Sequence, residues 1–96
     1  MSYEFCGMVI PSYMEKGMYD YIKYGIEPGG FLRSVLANDL KEAVGKADDC
    51  NIKIIPAYVS YLYNKAPSSC WGSPEKVVNW MKDKREQRTL EAQKNG

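Results

Sequence analysis

The chain has 96 residues, 45% hydrophobic and 26% charged, with 13 Lys and Arg against 12 Asp and Glu and no histidine. That length sets a single domain with little core area to spare, and a net charge of +1 exerts no global attraction for nucleic acid or an anionic membrane. Cys6, Cys50 and Cys70 are odd in number, widely spaced and without a CxxC pair, which excludes a disulfide framework and, with no histidine, falls short of a zinc site.

Free thiols in a reducing cytoplasm are therefore expected. The opening string MSYEFCGMVIP has neither a basic n-region nor a long apolar run, so a signal peptide is not expected. Nothing approaches the ~20 apolar residues of a membrane span.

In chain order, residues 1–10 hold no strong pattern and read as an extended lead-in. Pro11 suits the first turn of a helix. Met14, Met18, Tyr21 and Ile22 then recur at amphipathic spacing. Gly25 is placed to end that helix as a left-handed cap, so the first helix is expected over 11–24. Glu27-Pro28-Gly29-Gly30 is a turn by composition. From Phe31, Leu32, Val35 and Leu36 to Leu40, Ala43, Val44 and Ala47 the spacing stays helical, which predicts one helix over 31–47. Within it Asp39 breaks the pattern by projecting from the apolar face.

Asp48-Asp49 reads as the start of a third helix, with Ile52, Ile55, Val59, Leu62 and Tyr63 on its apolar side, over 50–65. Pro56 interrupts this run: either the helix kinks there, or a short turn at 50–54 precedes a helix starting near 55. The in-phase stripe on both sides favours the kink. After the loop APSSCWG, Ser73-Pro74-Glu75 is a three-part helix start, and Val77, Val78, Trp80 and Met81 supply the apolar face of a helix over 74–88. The predicted fold is all-α, an antiparallel bundle of four helices, with the body at 11–81 and a charged extension or frayed tail at 82–96.

No residue set points to catalysis, because no histidine is available to activate Ser68, Ser69 or Cys70. A carboxylate facing a core, as expected of Asp39, needs a partner or a raised pKa. It is either an acid/base or ligand group or a structural hydrogen-bond acceptor. The turn at Gly29 and Gly30, opening a helix at Phe31, is an anion-site candidate with Arg33 beside it, although turn chemistry alone accounts for it. The segment PSSCWGSP collects Ser68, Ser69, Trp71 and Ser73 at another helix start. Trp71 there is a core anchor or a stacking surface. Eight tyrosines exceed what a small helical domain buries. Tyr13, Tyr19, Tyr24, Tyr58 and Tyr61 lie off the main stripes, so some exposure, and hence an interface, is expected. Lys82, Lys84, Arg85 and Arg88 alternate with Asp83 and Glu86, which reads as a solvated face.

The strings PGGFLRSVLANDLKEAVGKAD and YLYNKAPSSCWGSPEKVVNW resemble a family of small uncharacterised proteins of tailed bacteriophages and prophages, over roughly residues 10–81. The resemblance implies a phage setting without assigning catalytic residues. In that setting a non-enzymatic binding protein in the host cytoplasm is expected. It would counter host defence by sequestering a small nucleotide or by blocking a host protein, and would act as a homo-oligomer. The expected ligand-binding residues are Gly29, Gly30, Phe31, Arg33, Asp39, Ser68, Ser69, Trp71 and Ser73, with no cofactor and no metal.

Overall fold

The computed structural model describes residues 3–95, and their side chains as far as Leu90. Part of the lead-in is not simply extended. Strands β1 (Glu4–Phe5) and β2 (Met8–Val9) pair antiparallel, with Glu4 opposite Val9 and Phe5 opposite Met8. Cys6 and Gly7 turn the chain at φ 52° and 80°, the positive-φ pair that a two-residue hairpin requires. Residues 1 and 2 of the expected lead-in lie outside the described residues.

Five helices follow: α1 (Ser12–Tyr24), α2 (Gly30–Leu36), α3 (Leu40–Lys46), α4 (Ile55–Lys65) and α5 (Pro74–Asn95). Among the described residues the chain is mostly helical, but with five α-helices rather than the four expected. Helix α1 ends as its sequence predicts, with Gly25 at φ 69° and its N–H donating to the Tyr21 carbonyl at 2.9 Å.

The helix expected over 31–47 is two. Leu36 ends the first, Asn38 adopts φ 62°, and the Asp39 side chain caps the second by accepting from the Glu42 N–H at 3.2 Å. Asparagine tolerates the left-handed region, and Asp followed three residues later by Glu is an N-cap sequence. Asp39 is therefore exposed on the surface, not facing the core.

The kink at Pro56 is also replaced. A 3-10 turn covers Asn51–Ile54, α4 starts at Ile55, and Pro56 falls in its first turn, where a missing N–H costs nothing. Asp48 caps the 3-10 turn, its carboxylate accepting from the N–H groups of Cys50 and Asn51. Helix α4 buries Ala57, Tyr58, Tyr61 and Leu62, a face rotated from the predicted one, and leaves Tyr63 76% exposed. Helix α5 begins where Ser73 Oγ accepts from the Lys76 N–H at 3.1 Å, and it continues past 88 to Asn95.

The core gathers Ile10, Met18, Tyr21, Phe31, Leu32, Leu36, Ala57, Tyr58, Leu62, Cys70 and Val77 around α2. Its polar atoms are paired: Tyr21 donates to the Cys70 carbonyl at 2.6 Å, and Tyr58 to Asn51 Oδ1 at 2.6 Å. Trp80 fastens α5 to the end of α1, its indole N–H lying 3.1 Å from the carbonyls of Tyr21 and Ile22.

Candidate functional site

Helix α2 separates the two loops that carry most of the expected site. The Gly29-Gly30 turn opens it, whereas Gly72 donates its N–H to the Leu36 carbonyl at the far end, 2.7 Å away. Six residues of helix put these ends about 9 Å apart. The loops therefore do not meet as one site.

Gly29, Gly30 and Phe31 border a shallow groove of about 270 Å³ with Tyr13, Lys46 and Asp48. Ser68 and Ser69 form a 3-10 turn whose Ser68 carbonyl accepts from Lys76 Nζ at 3.2 Å. Trp71 is half-buried and packs edge-on against Tyr63, ring centroids 5.1 Å apart. Ser73 is committed to capping α5. Asp39 borders a small depression with Ser34, Val35 and Leu40. Asp39→Ala should lower stability by about 1 kcal/mol, read as a Tm drop of roughly 4–8 °C. An Asp39→Asn variant that keeps its fold but loses function would instead assign the carboxylate a chemical role.

Arg33 belongs to a different and better-formed place. With Gly25, Ile26 and Glu27 it lines a cleft of about 470 Å³, whose other wall is α5 through Val78, Met81, Lys82, Arg85 and Arg88. Arg33 pairs with Glu27, while Lys82, Arg85 and Arg88 have no acidic partner among the described residues. Three cations beside apolar side chains raise the local potential for an anion despite a near-neutral chain. Lys84, one residue off this wall, lies over the Trp80 ring at 4.7 Å from its centroid and braces α5 rather than lining the cleft.

The convergence of Arg33 with 82, 85 and 88 is absent from the expected site. Sequence spacing alone holds only the 82/85/88 row, each residue three beyond the last. No known family model, curated protein or solved structure matches this chain.

Among the described residues no three His, Cys, Asp or Glu side chains are grouped to hold a metal ion, and no helix is long and apolar enough to cross a membrane. Cys6 and Cys50 are exposed, whereas burial pushes the thiol of Cys70 up to about 11. At neutral pH Cys70 therefore stays a thiol, and a thiol is a poor nucleophile.

Proposed function

We propose that the chain is a non-enzymatic, phage-encoded binding protein that acts in the host cytoplasm against a defence system, by sequestering a small phosphorylated nucleotide. The observation that carries this reading is the α5 cleft: four cations, an apolar floor of Ile26, Val78 and Met81, and a volume of about 470 Å³. That volume falls in the range of small-molecule sites, ~300–1,000 Å³. Guanidinium groups match phosphate geometry, and the floor offers a surface to a base. The phosphates are assigned to this cleft rather than to the turns at Gly30 and Ser73.

A thermal-shift panel of mono-, di- and cyclic nucleotides tests it. Ligand at a hundred times its Kd stabilises by about 2.7 kcal/mol, an expected rise of roughly 10–20 °C for a domain this small. Arg85→Ala, removing a charged contact worth about 1.5–3 kcal/mol, should cut affinity roughly 10- to 100-fold. Arg33→Ala should also weaken binding, because it leaves Glu27 unpaired in the cleft. A panel that leaves the melting curve unmoved ends this reading.

A second reading rests on a separate observation. Tyr63 stands 76% exposed against Trp71, and exposed aromatic pairs favour protein interfaces. There the chain acts as an inhibitor or adaptor of a host or phage protein, or pairs with a second copy. Tyr63→Ala would then abolish partner capture without touching nucleotide binding.

A further inference from the structure

The α5 wall of the cleft is polarised along its length, and this restricts the shape of ligand it can take. Val78 and Met81 stand at its start, Lys82 in the middle, and Arg85 and Arg88 at its end. Ten residues of helix separate Val78 from Arg88, about 15 Å. The apolar end is completed by Ile26, and Glu27, the one carboxylate of the lining, follows it directly. Gly25, at the C-terminus of α1, sits against Met81: a Cβ there would lie 3.4 Å from Met81 Cα. A helix C-terminus carries partial negative charge and disfavours an anion nearby. The Glu27 carboxylate is ion-paired to Arg33, so the two cancel and leave no net cation at this end. The attraction for phosphate therefore rises from Met81 toward Arg88.

We infer that the cleft binds a linear nucleoside polyphosphate, with the base over Ile26, Val78 and Met81 and two or more phosphates along Lys82, Arg85 and Arg88. The inference rests on the nucleotide reading above and narrows it. A cyclic dinucleotide alternates bases and phosphates around a ring and would need an apolar surface at both ends of the cationic row. Beyond Arg88 only Leu90 is large and apolar, and it borders a separate depression with Arg85, Glu86 and Thr89. That end therefore offers one apolar side chain and a carboxylate against the three apolar side chains at the start. A nucleoside monophosphate would engage only part of the row and leave Arg88 unused.

The test titrates the intact chain with a nucleoside triphosphate, its monophosphate, inorganic tripolyphosphate and a cyclic dinucleotide, without added magnesium, by calorimetry. The triphosphate should bind tightest, and the monophosphate roughly 10- to 100-fold more weakly for the lost charge-assisted contacts. Tripolyphosphate should bind detectably, and the cyclic dinucleotide weakest of the nucleotides. Arg88→Ala should weaken triphosphate and tripolyphosphate alike, whereas Val78→Ser, at a half-exposed position that leaves the core intact, should weaken only the ligand that has a base. A cyclic dinucleotide or monophosphate that binds as tightly as the triphosphate overturns the head-and-tail assignment and leaves the nucleotide reading standing. Equal loss of both ligands in Val78→Ser overturns it as well. If none of the four binds, both are wrong.

Discussion

Gly25→Ala is expected to destabilise the fold by about 2–4 kcal/mol, out of a total of roughly 5–15 kcal/mol for a domain. Two independent effects add. Gly25 has φ 69°, where a side chain costs roughly 1–2 kcal/mol. The new Cβ would also lie 2.4 Å from Lys84 Cβ. That atom is rooted in the α5 backbone, so the helix itself must shift, carrying the Trp80 indole away from the carbonyls at the end of α1. A Tm drop of roughly 10–20 °C is expected, with weaker ligand binding because Gly25 also borders the cleft. Gly29→Ala is the control: φ there is −63° and a Cβ meets nothing within 4 Å. It should be neutral or gain a few tenths of a kcal/mol. If Gly25→Ala melts within 2 °C of the parent, the proposed close approach of α1 to α5 is incorrect.

Alkaline pH should unfold the chain abruptly. Burial raises the phenol pKa values of Tyr21 and Tyr58, and that of Tyr61 as well, while burial pushes Cys70 up to about 11. Unfolded, these groups ionise near their ordinary values, about 8.5 for Cys and 10 for Tyr. The native state then holds protons that the unfolded state has released, so stability falls as pH rises. It should be flat from neutrality to about pH 8.5, then decline. Between about pH 10 and 11, Cys70, Tyr21 and Tyr58 together give a slope of roughly 3 kcal/mol per pH unit. Urea midpoints measured from pH 7 to 11 check the window. Tyr58→Phe should shallow the slope while lowering neutral stability by about 1–3 kcal/mol, because it strands the Asn51 amide oxygen. A urea midpoint unchanged to pH 10.5 would contradict the burial of these hydroxyls.

The misread elements share a cause. Apolar periodicity continues through Leu36 and Leu40, and that continuity hid the break that Asn38-Asp39-Leu40-Lys41-Glu42 spells in cap chemistry. Asp39 is anomalous only if one helix runs through it, and as the N-cap of α3 it is not. At Pro56 the same stripe favoured a kink, while the proline was better explained as a first-turn residue. The lead-in hairpin was legible in one dipeptide alone, Cys6-Gly7, since each strand has only two residues. Of the expected site, Arg33 does line a cleft, and the other residues are spread over separate surfaces.

By itself the sequence determined the features settled by bonds between near neighbours: the glycine end of α1, the capping role of Asp48, the Ser73-Pro74-Glu75 start of α5, and a predominantly helical chain. Each depends on a donor and acceptor within a few residues, so the local string suffices. Only the tertiary structure decided which face of α4 is buried, that Tyr58 and Tyr61 are core while Tyr13 and Tyr63 are surface, and that Arg33 meets the 82/85/88 row. Those outcomes depend on how helices pack across long stretches of chain. The packing there is set by shape and by buried hydrogen bonds such as Tyr21 to Cys70 and Trp80 to Tyr21, which hydrophobic spacing does not encode.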